Sequence, residues 1–274
     1  METTDKIDTD LYKIHQLDGL IQSIYIVEYQ DKLLLTDCAC RADLEKIEDF
    51  VENKINRKMT DIKLAVVTHM HPDHAGLARK LRDKYKILLA THYASDLWYS
   101  GFRGQIQHIL DIFMAWYVSF KKNNPANRMW YPTKIKADYI LRDSDKLPFF
   151  DDWKVIFTPG HTAHDISLYN VKDFTIYIAD VVLKINEKFL LPFPVTIPEL
   201  MEKTLNKLSK LTINKLLMSH GGMAELKSSE IFFSPLIKQV YVKHKGVFLM
   251  FKYISMFPPC VKEWKKCLLN DEQN

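Results

Sequence analysis

The chain predicts an α/β fold. Short apolar runs suited to strands alternate with segments whose apolar residues recur at helical spacing, and strand, helix, strand, helix is the rhythm of that class. One of the strand-like runs, Lys63 to Val67, ends in three histidines and one aspartate within six positions. Size and composition agree: 274 residues, 47% hydrophobic and 26% charged, suit one large globular domain over residues 1–274, and they exclude a disordered chain or a fibre.

Taken in order, residues 10 to 37 alternate apolar runs with turn residues, Ile21 to Val27 and then Leu33 to Thr36, and read as strands joined by a hairpin. Arg41 to Lys54 places Leu44, Ile47, Phe50 and Val51 on one face of a helix. Strand 63–67 follows, then a helix from Ala75 to Tyr85 and a strand from Ile87 to Ala90. Ala137–Leu141, Trp153–Phe157, Ile166–Tyr169 and Phe174–Asp180 read as strands of a second sheet, separated by aspartate-rich turns. Thr196 and Pro198 start an amphipathic helix reaching Leu211, and a last strand covers 215–218.

Between about residues 93 and 135 the rhythm breaks in an aromatic-rich insertion that carries Trp98, Phe102, Phe113, Trp116 and Trp130. Its centre, Ile106 to Phe120, is apolar on most of its circumference, with Asp111 and His108 as exceptions. The run is shorter than a bilayer crossing requires, so no transmembrane segment is expected. It reads as a buried core helix or as a wall over a nearby site, and a wall would make the pocket apolar. Residues 226–274 read as a helical extension. Its run Val247 to Phe251 and basic stretch Lys262 to Lys266 are also compatible with peripheral contact to a membrane.

The stretch Thr68-His69-Met70-His71-Pro72-Asp73-His74 carries the chemistry. In extended backbone, residues two apart point the same way, so His69 and His71 can face one ion. Asp73 and His74 follow where the chain reverses, which can bring them to a second ion. Imidazole and carboxylate are the ligands that zinc and similar divalent metals accept. Packing alone has no use for four such groups at the mouth of a buried strand. The pair Cys38 and Cys40 lacks a second pair nearby and reads as small buried thiols, as do Cys260 and Cys267.

This stretch resembles the HxHxDH signature of the metallo-β-lactamase-fold hydrolases. Three further segments look like the family's remaining ligand positions: Thr158-Pro159-Gly160-His161, Ile176 to Asp180, and Leu216 to His220. Leu33 to Asp37 resembles the early aspartate motif, whose carboxylate supports the ligand loop. The resemblance, spanning roughly residues 20 to 225, implies an αβ/βα sandwich of two mixed sheets with outer helices. It implies that His69, His71 and His161 hold one metal and Asp73, His74 and His220 the other, with Asp180 bridging. The cofactors would be two divalent ions, zinc first and iron or manganese as alternatives, with a hydroxide between them as nucleophile.

A β-lactam hydrolase of this fold is expected to lack the aspartate at 180, whereas glyoxalase II-like thioesterases, lactonases and nucleases keep it. The implied activity is cleavage of a small-molecule thioester, ester or lactone, with an apolar acyl group if the insertion is a wall. The basic motif of glutathione-thioester hydrolases is not found. The alternatives are a phosphodiesterase or nuclease, whose nucleic acid would meet Arg103, Lys121, Lys122, Arg128 and Lys134, and an iron enzyme of persulfide-dioxygenase type. A descendant of the fold without catalysis is a further reading, against which the complete ligand set argues. Asp73 and His164 are the candidate catalytic side chains, His164 as a general acid or as a supporting residue. The net charge of +4 is mild, the N-terminus lacks a secretory pattern and four cysteines make no disulfide framework. A cytoplasmic setting is expected.

Overall fold

A computed structural model describes residues 6–9, 11–122 and 128–242. Two sheets face each other with helices outside them, the sandwich expected from the resemblance. The first sheet has seven strands in sequential order: β1 (Lys6–Asp8), β2 (Lys13–Asp18), β3 (Ser23–Glu28), β4 (Leu33–Leu35), β5 (Ile62–Val67), β6 (Leu88–His92) and β7 (Tyr139–Leu141). β1 to β4 pair antiparallel, and β4 to β7 pair parallel. The second comprises β8 (Lys146–Leu147), β9 (Phe150–Phe157), β10 (Ile166–Asn170), β11 (Thr175–Tyr177), β14 (Lys215–Met218) and β15 (Gly222–Glu225), with a separate hairpin of β12 (Leu183–Ile185) and β13 (Lys188–Leu190).

Alternation along the central strands explains why they read as unbroken apolar runs. Leu64 and Val66 of β5 enter the layer between the sheets, where they join Ile14, Trp153, Leu168 and Leu217. Ala65 and Val67 point the other way, into a layer under the helices with Ile47, Leu77 and Leu81. Both faces are therefore buried, the usual state of parallel strands. On the far side of the second sheet, Ile176, Leu216 and Met218 pack with Met201, Leu205, Phe233 and Leu236 of α6 (Pro198–Ser209) and α7 (Ser229–Ile237).

Several expected boundaries shift. The helix expected over 41–54 becomes a 3-10 turn, α1 (Leu44–Asp49) and one π-helical turn over Phe50–Lys54. That expected over 75–85 divides into α2 (Pro72–Ala75) and α3 (Ala78–Tyr85). The strand near residue 139 belongs to the first sheet and not the second: β7 pairs parallel with β6, and Asp138 Oδ2 accepts the Leu89 amide at 2.8 Å. The strand expected over 174–180 stops at Tyr177, which leaves Asp180 in the turn beyond it.

The insertion forms α4 (Ser95–Trp98) and α5 (Gly101–Lys121). α5 is not a buried core helix. Its inner face holds Gln107, His108, Ala115 and Ser119, while Phe102, Phe113 and Phe120 on the other face are exposed. Among the described residues no helix is long and apolar enough to cross a membrane. Of the C-terminal extension, α7 packs on α6; residues 247–251 and 262–266 lie outside the described residues.

Candidate metal centre

The site lies where the ends of β5, β11 and β14 meet the loop after β9. β5 delivers His69 directly, and Pro72 opens α2, whose short turn carries Asp73 and His74 back over the strand ends. His161 sits in the loop after β9, which is tied by the Asp165 carboxylate accepting from the Thr162 amide and hydroxyl, both at 2.6 Å. Gly160 in that loop has φ +149°, and a Cβ there would stand 2.6 Å from Met201 Cα, so the close approach of α6 requires glycine. Asp180 follows Ala179, whose φ of +45° turns the chain, and Ser219 Oγ donates to Asp180 Oδ1. His220 continues from β14.

The seven side chains converge as two groups. His69, His71, His161 and Asp180 offer ligand atoms within 4.8 Å of one another, as do Asp73, His74 and His220. In the first group His71 Nδ1 lies 3.1 Å from His69 Nε2 and 3.0 Å from His161 Nε2. Asp180 divides its oxygens. Oδ2 is 3.5 Å from His161 Nε2 and 3.9 Å from His69 Nε2, whereas Oδ1 is 3.3 Å from His74 Nε2 and 3.6 Å from His220 Nε2. Asp73 Oδ2 is 3.3 Å from His220 Nε2.

The outer nitrogens of four of these rings have partners. His74 Nδ1 donates to Asp37 Oδ2 at 2.6 Å, His161 Nδ1 to Pro194 O at 2.9 Å and His220 Nδ1 to Ile21 O at 3.1 Å. His69 Nδ1 lies 3.3 Å from Thr68 Oγ1. Such partners fix each ring's orientation and turn its inner nitrogen toward the cluster. Asp37 is itself held by Thr68, Tyr177 Oη and the Cys38 amide.

Electrostatics agree with a cation site. Burial, helped by the neighbouring imidazoles, holds His69 well below the ordinary histidine range and His71 down at about 3, so both rings are neutral. Burial also lowers His74 and His220, but the carboxylates around them outweigh it and raise both. Asp180 and Asp73 go down although burial raises them, because His74, His220 and, for Asp180, His69 favour the anion. Buried His74 Nε2 finds no hydrogen-bond partner among the described residues. An orphaned inner nitrogen, facing imidazole lone pairs and a carboxylate with one oxygen toward each group are a donor set that fits two divalent ions.

His164 occupies a different place from that expected of a general acid. It is 1% exposed, its Nε2 accepts the Met70 amide at 3.0 Å, and burial lowers its pKa well below the ordinary range. Cys38 and Cys40 are buried free thiols outside both groups, and Cys38 Sγ donates to Val66 O at 3.3 Å. Cys260 and Cys267 lie outside the described residues.

One site residue escaped the sequence reading. Asp111 Oδ2 of α5 stands 3.7 Å from His71 Nε2 and accepts from Tyr99 Oη at 2.8 Å, and Gln107 Nε2 donates to its Oδ1 at 2.6 Å. Burial pushes its carboxyl up to about 7. Its signal was visible, a carboxylate in the middle of an otherwise apolar helix, but periodicity does not say what a helix faces. Asp111 lines a cavity of about 180 Å³ over the ligands, whose apolar wall includes Leu110, Met114, Val118 and Phe193.

A family model for the metallo-beta-lactamase superfamily matches residues 17–220. The chain is similar to the probable metallo-hydrolase YflN of Bacillus subtilis (strain 168), with 20% identity over 181 residues, which is 64% of this chain and 66%, just under two thirds, of that protein. Among solved structures it resembles a metallo-beta-lactamase superfamily protein from Sulfolobus tokodaii, with a TM-score of 0.60 at 16% identity over 91% of this chain and 98% of that one. A metallo-beta-lactamase from Pontibacter korlensis gives 0.59 at 14% identity over 86% and 99%. At such identities these structures speak to the fold alone.

Proposed function

The chain belongs to the metallo-beta-lactamase superfamily, and on that premise we propose that it is a metal-dependent hydrolase of thioesters, esters or lactones with an apolar acyl group, of the glyoxalase II and lactonase type. The observation that carries the reading is the divided Asp180 carboxylate, one oxygen toward each group of ligands. Similarity to the probable metallo-hydrolase of Bacillus subtilis supports the reaction class. The apolar wall that α5 adds over the ligands supports the acyl group.

In this reading His69, His71 and His161 would hold one ion and Asp73, His74 and His220 the other, with Asp180 facing both groups. Zinc is the first choice for this donor set, with iron or manganese as alternatives. Ions held there would supply a water of lowered pKa and polarise the oxygen of the bond to be cleaved. Asp37, Pro194 O and Ile21 O keep the imidazoles aimed inward. Asp73, the candidate catalytic carboxylate, belongs to the second group and also reaches the cavity wall. His164 is a positioning residue that holds the Met70 amide between the two histidines of the first group. Leu110, Met114 and Val118 exclude water from one side of the reacting bond.

A phosphodiesterase on the same site is the second reading. It is favoured by Lys46, Lys122 and Lys184, which line the open groove beside His220 and Asp180. Purified zinc-loaded protein, its chelator-treated form and Asp180→Ala should be compared on a long-chain acyl thioester and on an activated phosphodiester. Zinc-dependent thioester cleavage that Asp180→Ala loses is expected. Phosphodiester cleavage without thioester turnover would replace the acyl reading by the second one.

A further inference from the structure

α5 turns the usual pattern of a surface helix inside out. Phe102, Ile106, Ile109, Phe113, Trp116 and Phe120 follow one another at steps of four, three, four, three and four residues, so they form one straight stripe. All six are between 40% and 81% exposed. At 1.5 Å per residue the stripe is about 27 Å long. The polar side chains Gln107, His108 and Ser119 are the buried ones. A helix on a water-facing surface has the opposite arrangement, and a contiguous apolar patch of this extent marks a contact surface.

Charge selects what that contact is. The only carboxylate of α5 is Asp111, and it faces inward. Residues 93–136 hold six Lys and Arg against two Asp, the same surplus of four that the whole chain carries, so the rest of the protein is neutral in sum. Arg103 and Lys121 of the same helix and Arg128 and Lys134 after it are exposed, Lys121 Nζ lies 5.6 Å from the ring centre of Tyr117, and Lys122 turns instead to the Ile21 carbonyl. A second copy docked stripe to stripe would set these cations against their own kind with no helix carboxylate to pair them. The sequence after Val242 holds six Lys against three acids, a surplus of the same sign that does not balance these cations. Anionic lipid matches both features: aromatic side chains sit at the headgroup level, and flanking cations pair with the headgroups.

We propose that α5 docks this protein on an anionic lipid bilayer, lying in the surface with the stripe from Phe102 to Phe120 among the acyl chains. The opposite flank of the same helix, Leu110, Met114, Ala115 and Val118, lines the cavity over His71, Asp73 and Asp180. The helix therefore separates lipid from ligand cluster by its own width. Resting on the hydrolase reading, this makes the substrate an acyl ester or thioester that partitions into membranes.

The test is co-sedimentation of the full-length protein with vesicles of phosphatidylglycerol and phosphatidylcholine, and with phosphatidylcholine alone. The wild type should pellet with the anionic vesicles and be released by salt. Phe113→Ser/Trp116→Ser/Phe120→Ser should bind at least 10-fold more weakly, and Lys121→Gln/Arg128→Gln should bind more weakly with a shallower salt dependence. The triple variant should keep its turnover of a soluble short-chain substrate, which also reports its folding. Asp180→Ala should pellet like the wild type, so loss of hydrolysis leaves the docking result standing. A wild type that stays in the supernatant overturns the proposal. So does a triple variant that pellets as well as the wild type, or a wild-type dimer that the triple substitution converts to monomer without vesicle binding.

Discussion

The ligand cluster and α5 stand on opposite sides of one cavity and are built on opposite rules. In the cluster, polar groups are buried and held: Asp37 alone gathers His74, Thr68, Tyr177 and the Cys38 amide. On α5, apolar groups are exposed, and the inner face is tied down through Asp111, Gln107 and Tyr99. The contrast separates what orients the chemistry from what meets the outside. Changes in the cluster should cost activity before fold, and changes on the stripe should cost neither fold nor chemistry.

The sharpest way to break that contrast is His69→Ala. It should lower hydrolysis by on the order of 100-fold or more, beyond the roughly 10- to 100-fold that outer partners of metal ligands carry. Circular dichroism should show a folded protein, and elemental analysis should show reduced metal content. Full activity would remove His69 from the ligand set.

Asp37→Asn comes next. With the partner of His74 Nδ1 neutralised, zinc affinity by competition titration and turnover should fall together by roughly 10- to 100-fold. An unchanged affinity would mean that ring orientation is set by packing alone.

Asp111→Ala probes the border between the two regions. It strands the Gln107 amide and removes one acceptor of Tyr99 Oη, which keeps Met70 O, so thermal unfolding should report a loss of roughly 1–3 kcal/mol, with zinc content unchanged. A loss of zinc would move Asp111 from the wall into the ligand set.

The smallest effect is expected at Phe102→Ser on the stripe. Its side chain is 81% exposed, and stability should stay within about 0.5 kcal/mol of the wild type by denaturant titration. A larger loss would show that the stripe packs against the protein itself.

Much of the ligand cluster is legible in the chain itself. Residues 69 to 74 concentrate four candidate donors at a strand end, and resemblance supplies His161, Asp180 and His220. Legibility fails where partners are distant in the chain. His164 reads as either a general acid or a supporting residue, because its partner, the Met70 amide, is 94 positions away. The strand near 139 reads as part of the second sheet because alternation does not encode which edge a strand joins, and Asp138 ties it to β6.

The sequence by itself determined the alternation of strand and helix, the metal-binding character of the stretch from His69 to His74 and the apolar nature of the insertion. These depend on local spacing and on donor chemistry that no fold can change. Only the tertiary structure decided that Asp180 turns one oxygen to each group, that Asp111 looks at His71 and that the apolar stripe of α5 faces outward. Such facts are directions in space, and they arise when elements far apart in the chain exclude water from one face of each other and leave the other face exposed.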